Sequence, residues 1–269
     1  MQPTPAQLAR QVLSLPKPIL LAFDVDGTLA PIVSDPRSSR VPPATVSALT
    51  RLAAAKGLRV ALVTGRDAAS LDRVVRIRSA WRAVEHGALV IPPRREPRRP
   101  ELSSDAQRRL AGFASWVHSE LVGKGATIER KPRALAVHVR DLAQSAPGKA
   151  DRLLMRASSA AARQGLSVRH GRCVLEAEIA PGDKGRALAA VARRCRARGV
   201  LYVGDDLTDL PAIRLAAARG GFGVFVRSEE RPRAPGGASA SLSGTSEVHT
   251  LVDLLCSTIE ERAVPRSSR

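Results

Sequence analysis

Apolar runs alternate with helical patterns along the first part of the chain. Residues 19–26 (ILLAFDVD) and 58–65 (LRVALVTG) are mainly apolar until they end in polar residues, which is typical of strands buried on both faces of a sheet. Residues 42–57 predict a helix between them, because prolines stand at its start and a glycine at its end. Asp67 is a candidate N-cap for the next helix. This order predicts an α/β fold with a parallel sheet covered by helices on both faces.

The pattern changes in the middle of the chain. Residues 92–100 are rich in proline and arginine, which predicts a linker. Two predicted helices follow, over residues 104–122 and 149–163, and after each come two short segments in which apolar and polar residues alternate. Because this alternation is typical of antiparallel strands, residues 96–181 are predicted to form a separate α+β insert.

The α/β pattern returns after the insert. A predicted helix from Lys184 is followed by an apolar strand at residues 199–204 (GVLYVG) and by a last strand at residues 221–226 (GFGVFV). Residues 231–244 are rich in Gly, Pro and Ser, which predicts a loop before a closing helix. The predicted core is thus divided between the two ends of the chain, residues 1–95 and residues 182–269.

Composition and charge narrow the functional classes. The 269 residues are 44% hydrophobic, which is enough to form a buried core, and no apolar run approaches the roughly 18 residues of a membrane span. The net charge of +18 is compatible with nucleic acids or anionic ligands as partners. However, aromatic residues make up only 3% of the chain, and arginine is spread along all of it. Since few aromatic rings are available to stack on bases, we expect neither a nucleic-acid partner nor a membrane association.

The cysteines and the N-terminus bear on location. Cys173, Cys195 and Cys256 are widely separated and form neither a CxxC pair nor a zinc-binding pattern. The first residues lack the charged start and the apolar block of a secretory signal. We therefore expect a cytoplasmic protein. For its assembly, our hypothesis is a monomer.

Polar residues follow the predicted strands of the core. The carboxyl ends of parallel strands meet at one edge of a sheet, where α/β proteins bind their ligands. Several carboxylates at such an edge repel each other unless a cation holds them, and hard oxygen ligands favour Mg²⁺. One carboxylate can attack phosphorus while a lysine and a hydroxyl hold the phosphoryl oxygens. The residues at this edge are Asp24 and Asp26 after the first strand, Thr64, Gly65 and Arg66 after the second, Asp205, Asp206 and Asp209 after the third, and Lys184 at a helix start.

Each of these features has a structural alternative. Asp24 and Asp26 alone are compatible with a turn, and Thr64 alone is compatible with a helix cap. Lys184 alone is compatible with solvated surface, and the acidic residues at 205–209 are compatible with a helix start that the helix dipole stabilises. Their combination, in this order and at strand ends, favours a phosphoryl-transfer site.

The same residues carry a resemblance to a known family. The DxDGT sequence at 24–28, Thr64 after a hydrophobic strand, Lys184, and the acidic residues at 205–209 resemble the four motifs of haloacid dehalogenase superfamily phosphatases. The resemblance implies a Rossmann-like core with a parallel sheet and, between the second and third motifs, an α+β C2-type cap domain. It also implies a phosphoric monoester hydrolase that uses Mg²⁺ and forms an aspartyl-phosphate.

The resemblance implies a role for each core residue. Asp24 would be the nucleophile and a Mg²⁺ ligand, and Asp26 would be the general acid and base, with its backbone carbonyl on the metal. Thr64 and Lys184 would hold the phosphoryl group, and Asp205 would complete the metal site. Four residues would support these groups, namely Asp206, Asp209, Gly65 and Arg66.

Further segments are similar to those of trehalose-6-phosphate phosphatases. They include DGTLAPIVSDP, VTGR and GDDLTD in the core, and an ExK and an HxR motif in the insert. The similarity extends over residues 19–255 and implies the hydrolysis of trehalose 6-phosphate to trehalose and phosphate. The residues that it assigns to substrate binding are Glu129, Lys131, His138, Arg140, Arg172, Glu176 and His86.

Four positions depart from the pattern of that family, namely Glu85, Leu89, Val139 and Leu210. We expect these departures to affect the cap and the sugar site, so another sugar phosphate is an alternative substrate. A third hypothesis is a nucleic-acid-binding protein on the same scaffold, and it rests only on the net charge of +18.

The insert residues also have a structural alternative. Glu129 and Lys131, and likewise His138 and Arg140, occupy alternate positions of short predicted strands, so each pair is predicted to share one face of a sheet. On the residues alone, a solvated sheet face with paired charges is the simpler interpretation. With the resemblance, we interpret this face as substrate-binding.

Overall fold

The computed structural model describes residues 2–33, 38–98, 101–131, 133–171, 173–179 and 182–263. The strands are β1 (Ile19–Phe23), β2 (Leu58–Val63), β3 (Trp81–Val84), β4 (Leu89–Ile91), β5 (Thr127–Lys131), β6 (Ala134–His138), β7 (Ser167–Gly171), β8 (Val174–Glu178), β9 (Gly199–Gly204), β10 (Phe222–Arg227) and β11 (Ala240–Ser243). The helices are α1 (Pro5–Leu13), α2 (Pro43–Ala54), α3 (Ala68–Val74), α4 (Ser104–Glu120), α5 (Arg140–Ser145), α6 (Pro147–Arg163), α7 (Lys184–Arg194), α8 (Leu210–Ala218) and α9 (Gly244–Ala263).

The chain divides into two compact units. The core unit comprises Met1–Arg98 and Gly182–Arg269, and the inserted unit comprises Arg99–Pro181. The core unit contains a seven-stranded sheet in the order β11-β10-β9-β1-β2-β3-β4, in which all neighbours are parallel except β3 and β4. The inserted unit contains a four-stranded antiparallel sheet in the order β5-β6-β8-β7.

Helices cover both faces of the core sheet. Strand β1 is buried throughout and sends alternate side chains to opposite faces. Leu21 belongs to one apolar cluster, which includes Leu251 of α9, whereas Leu20 belongs to the other, which includes Leu188 of α7 and Ile213 of α8. The predicted parallel sheet covered on both faces is therefore confirmed.

The inserted unit has its own apolar core. One face of its sheet, with Leu135 and Leu175, packs against α4 and α6, which contribute Phe113 and Ala157. The opposite face carries the polar side chains of the alternating segments. Residues 127–131 and 134–138 pair in antiparallel register, as their alternating pattern predicts.

Three features of the fold differ from the sequence predictions. Residues 231–244 are not all loop, because β11 extends the sheet beside β10 in parallel register. The strands β3 and β4 are not predicted from the sequence, because segments of four and three residues are too short to show a distinct alternation of apolar and polar residues. Arg140 does not share a strand with His138, because β6 ends at His138 and Arg140 begins α5.

Within the described residues, no helix is long and apolar enough to cross a membrane.

Candidate active site

Three neighbouring parallel strands bring the predicted core residues together. Strand β1 lies between β2 and β9, and Phe23 pairs with Leu62 on one side and with Val203 on the other. The residues that follow these strands therefore meet at one edge of the sheet, which we call the carboxyl edge. Lys184 reaches the same place from the first position of α7, whose N-cap, Asp183, accepts a hydrogen bond from the backbone N–H of Arg186.

Lys184 is the centre of a buried charge network. Its Nζ lies 2.9 Å from Oδ1 of Asp24 and 2.7 Å from Oδ1 of Asp209, and the lysine side chain is only 3% exposed. The hydroxyl of Tyr202 also donates to Oδ1 of Asp209. The backbone N–H of Asp206 donates to the other oxygen, Oδ2, at 3.0 Å. Both oxygens of Asp209 thus accept hydrogen bonds from the protein, and Asp209 fixes Lys184 in place.

The buried groups influence each other's protonation. Burial alone would lower the pKa of Lys184, but the carboxylates of Asp24 and Asp209 raise it above its ordinary value. Burial and repulsion by Asp209 raise the pKa of Asp24 well above its usual range, although Lys184 opposes this shift. Burial and Asp209 likewise raise the pKa of Asp205 to about 6, against a hydrogen bond from Thr28. The site therefore has more negative charge than its protein cations stabilise.

The arrangement suits a divalent cation. Asp24, Asp205 and Asp209 each present a carboxylate oxygen, and these oxygens lie within 4.8 Å of one another. Three carboxylates against the ammonium of Lys184 leave an excess of two negative charges, which a divalent ion would neutralise. Since both oxygens of Asp209 accept protein hydrogen bonds, Asp24 and Asp205 are the better placed ligands.

Gly27 allows Asp205 to approach the DxDGT segment. Gly27 has a φ of +78°, in the region that favours glycine. A Cβ at this position would lie 2.1 Å from Oδ2 of Asp205, so any side chain would displace that carboxylate. The hydroxyl of the next residue, Thr28, donates to Oδ1 of Asp205 at 3.1 Å. The glycine and the threonine of the motif therefore fix the position of Asp205.

Asp26 is held by Arg66. Nε and Nη2 of Arg66 donate to Oδ2 and Oδ1 of Asp26, each at 2.7 Å. This bidentate geometry is the strong form of an arginine–carboxylate pair, and the hydrogen bonds to Asp26 raise the pKa of Arg66. The sequence predicted Arg66 only as a general support. In this structure it determines where the Asp26 carboxylate points.

A cavity of about 510 Å³ opens at the carboxyl edge. Its lining contains the predicted residues Asp24, Asp26, Thr64, Gly65, Arg66, His86, Lys184, Asp205 and Asp206, together with Ile32, Val33, Ser39, Ser70 and Thr208. His86 has a φ of +54° and lies against Gly65, where a Cβ would be 2.5 Å from its Nε2. The volume is in the range of small-ligand sites.

The other predicted residues lie on the inserted unit. Lys131 pairs with Glu176 at 2.6 Å and His138 with Glu129 at 3.0 Å, all on one face of the sheet. Strand register explains this, because Glu129 and Glu176 both lie opposite Ala136 of β6. Arg140 is exposed at the start of α5, and Arg172 lies outside the described residues.

Three of the four departures from the family pattern lie in the core unit. Leu89 is 7% exposed within an apolar cluster of the core unit, and Leu210 packs against the second cluster. Glu85 precedes His86 in a turn with a φ of +55°. These three belong to the core unit, and two of them serve packing, whereas Val139 lies in the inserted unit, 1% exposed among the apolar side chains of its core. That the departures affect the sugar site stays a prediction.

Some site residues were not predicted. Tyr202 occupies a fully buried position of β9, where the sequence pattern does not distinguish it from a core residue. Arg231 pairs with Asp206 at 2.7 Å, although it lies in the segment predicted as loop. Only the folded chain brings such distant positions together.

Comparison with known proteins decides the family. The trehalose-phosphatase family model matches residues 22–246, which include all the predicted site residues of the core unit. The chain belongs to the trehalose-phosphatase family. Family membership thus agrees with the order of the motifs and with the geometry of the carboxyl edge.

Individual similar proteins show how far the similarity extends. A trehalose-phosphate phosphatase of Mycobacterium ulcerans is 32% identical over 227 residues, which are 81% of this chain and 56% of that protein. An uncharacterized glycosyl hydrolase of Mycobacterium tuberculosis is 34% identical over 218 residues, 77% of this chain but 16% of that protein. A solved trehalose-6-phosphate phosphatase of Aspergillus fumigatus has a TM-score of 0.69 at 27% identity and covers 96% of this chain and 100% of its own. The chain spans about half the length of the curated trehalose-phosphate phosphatases that it matches.

Proposed function

We propose that this chain hydrolyses trehalose 6-phosphate to trehalose and phosphate. The observation that carries the proposal is the buried Lys184–Asp24–Asp209 network, with Asp205 beside it, in a member of the trehalose-phosphatase family. In this network at the end of a parallel sheet, a carboxylate can act as the nucleophile and the lysine between the carboxylates can bind the phosphoryl oxygens.

Asp24 is the proposed nucleophile. One of its carboxylate oxygens attacks phosphorus, forming the O–P bond of an aspartyl-phosphate as the bond between phosphorus and the sugar oxygen breaks. Lys184 and the hydroxyl of Thr64, both on the cavity wall, bind the phosphoryl oxygens. Water then attacks the phosphorus of the intermediate, which releases phosphate and restores the Asp24 carboxylate.

Asp26 is the proposed general acid and base. It would give a proton to the departing sugar oxygen and later take one from the attacking water. Both of its oxygens accept hydrogen bonds from Arg66 in this structure, so substrate binding has to weaken or reorient that pair before Asp26 acts. We therefore propose that Arg66 is a positioning residue that aims Asp26 at the cavity.

Mg²⁺ is the proposed cofactor. Asp24 and Asp205, with the backbone carbonyl of Asp26, would hold it, and Asp206 and Asp209 would support the site from behind. When bound, Mg²⁺ supplies positive charge that neutralises the carboxylates and the phosphoryl oxygens. Burial and the carboxylate of Asp209 raise the pKa of Asp205 to about 6, so a cation beside it would stabilise the ionised carboxylate.

The sugar is proposed to bind groups of the inserted unit. The exposed sheet face carries an ion pair and a hydrogen-bonded pair, which together offer donors and acceptors for sugar hydroxyls. They are Lys131 with Glu176, and His138 with Glu129. Arg140 and His86 are further candidates, and Arg172 is proposed on the family pattern alone. Another sugar phosphate is the alternative substrate.

The test is phosphate release from four substrates, with Mg²⁺ and with a chelator. The substrates are trehalose 6-phosphate, sucrose 6-phosphate, glucose 6-phosphate and an aryl phosphate. We expect trehalose 6-phosphate to be hydrolysed much faster than the other substrates, and we expect turnover to be lost when the chelator removes Mg²⁺. Preference for another sugar phosphate would contradict the proposed substrate but not the proposed phosphatase mechanism. Undiminished turnover in chelator would contradict the proposed metal site.

A further inference from the structure

A small charged cleft, with a cavity volume of only about 20 Å³, lies at the opposite edge of the core sheet. It is lined by five arginines from three segments, namely Arg76, Arg78, Arg82, Arg94 and Arg95. Arg82 is the second residue of β3, and it pairs with Ile91, the last residue of the antiparallel strand β4. The chain beyond β4 therefore emerges where β3 begins. A strand of four residues spans roughly 13 Å, so the cleft is separate from the cavity at the carboxyl edge.

The cleft is built on fixed contacts. Nη1 of Arg82 lies 3.1 Å from Asp72 of α3, and its Nη2 donates to the carbonyl oxygen of Arg95 at 2.7 Å. The backbone N–H of Arg94 donates to the carbonyl oxygen of Arg78 at 2.6 Å. Arg94 has a φ of +59°, which is strained for a residue with a long side chain. These contacts hold the loop after β4 against the loop after α3, so the arginines of both loops face one cleft.

The charges of the cleft are unbalanced. Asp72 neutralises Arg82, and Glu96 is the other acidic residue in the lining. Arg76, Arg78, Arg94 and Arg95 are exposed, and their guanidinium groups form no ion pair or hydrogen bond with any residue that the structure describes. Four guanidinium groups therefore share a cleft with one unpaired carboxylate.

We propose that the exposed arginines around this cleft bind a compact, multivalent phosphate-type anion across its mouth, separately from the catalytic cavity. Arginine presents donors in a planar fork that matches phosphate oxygens, and several arginines can grip successive phosphoryl groups. Among the residues of the lining that the structure describes, none is aromatic and could stack on a base, and Ile77 is the apolar one. The chemistry thus favours a short polyphosphate over a nucleic acid.

The test is calorimetric titration of the full chain with inorganic tripolyphosphate in metal-free buffer. Without a metal the catalytic carboxylates carry excess negative charge, which disfavours anion binding there. The test variant is Arg76→Gln with Arg94→Gln. Its matched control is Arg193→Gln with Arg198→Gln, which removes the same charge from exposed positions of the core unit outside the cleft.

We expect one tripolyphosphate per chain. The cleft variant should bind about tenfold more weakly or worse, and the control within about twofold, because each charge-assisted hydrogen bond that is lost costs about a factor of ten. Equal weakening in both variants would reduce the effect to net charge and overturn the proposal. Wild-type affinity in the cleft variant, or binding of a single-stranded oligonucleotide but not of tripolyphosphate, would also overturn it.

Discussion

The charges of the catalytic cavity and those of the inserted sheet face are arranged in opposite ways. In the core unit, Lys184 is 3% exposed and touches two carboxylates that are buried with it. In the inserted unit, Lys131 is 38% exposed and touches one carboxylate, Glu176. A buried charge interacts strongly and costs much when its partner is lost, whereas an exposed pair is screened by water. The buried arrangement suits catalytic groups that have to stay in one position. The exposed arrangement suits side chains that exchange their protein partner for a ligand.

The largest expected effect is on turnover. Asp24→Asn should lower kcat by about 10⁴-fold or more, because an amide cannot form the acyl-phosphate. Asp183→Asn is the matched control, since Asp183 is an N-cap at the same edge and asparagine caps equally well. The control should remain within about twofold of wild type. Phosphate release from trehalose 6-phosphate measures both, and an active Asp24→Asn variant would contradict the proposed nucleophile.

The second prediction compares the two lysines by stability. Lys184→Met should lower the free energy of unfolding of the core unit by about 3–5 kcal/mol, since it leaves Asp24 and Asp209 buried without their cation. Lys131→Met should change that of the inserted unit by less than about 1 kcal/mol.

Urea unfolding followed by tryptophan fluorescence separates these two effects. The chain has two tryptophans, Trp81 in the core unit and Trp116 in the inserted unit. Trp116→Phe provides the background for the Lys184 variant, and Trp81→Phe provides it for the Lys131 variant. Similar losses for both lysines would remove the distinction between buried and exposed charge.

The third prediction concerns pH. Because the folded-state pKa of Asp205 is raised to about 6 from 3.8, the folded chain binds a proton there more readily than the unfolded chain does. In metal-free buffer this contribution destabilises the fold above about pH 6 and is relieved as the pH falls towards 4. The free energy of unfolding of wild type relative to Asp205→Asn should therefore rise by up to about 3 kcal/mol between pH 7 and pH 4.

Saturating Mg²⁺ should flatten or reverse that dependence, because a cation stabilises the ionised carboxylate. Urea titrations at several pH values, with and without Mg²⁺, measure it. Identical pH dependence for wild type and Asp205→Asn would show that Asp205 does not titrate in this range.

The smallest expected effect concerns the substrate face of the inserted unit. Lys131→Met should raise KM for trehalose 6-phosphate by about tenfold and leave an aryl phosphate unaffected, because only the sugar is proposed to contact this face. Arg130→Met is the control, since the neighbouring residue of β5 points to the opposite side of the strand. Steady-state kinetics on both substrates measures the split. Equal changes in KM for both variants would favour a purely solvated sheet face.

The sequence predicts the two regions unequally well, for a physical reason. Strand-end residues such as Asp24 and Asp205 are predictable, because parallel strands must bring their carboxyl ends together. The pair between Asp26 and Arg66, and the hydrogen bond from Tyr202, depend on side-chain directions that no period encodes. Arg140 illustrates the limit, since two-residue alternation extends past His138 while the chain has already entered a helix.

The proposed mechanism rests on covalent chemistry at Asp24, and trapping the aspartyl-phosphate tests it most directly. Asp26→Asn should slow breakdown of the aspartyl-phosphate, because the general base for water is lost. This variant is mixed briefly with Mg²⁺ and an aryl phosphate, whose leaving group needs little help from a general acid, and quenched with acid. Peptide mass spectrometry should then place one phosphoryl group on Asp24. Phosphorylation of a different residue, or steady phosphate release by this variant without any phosphorylated enzyme, would contradict the proposed mechanism.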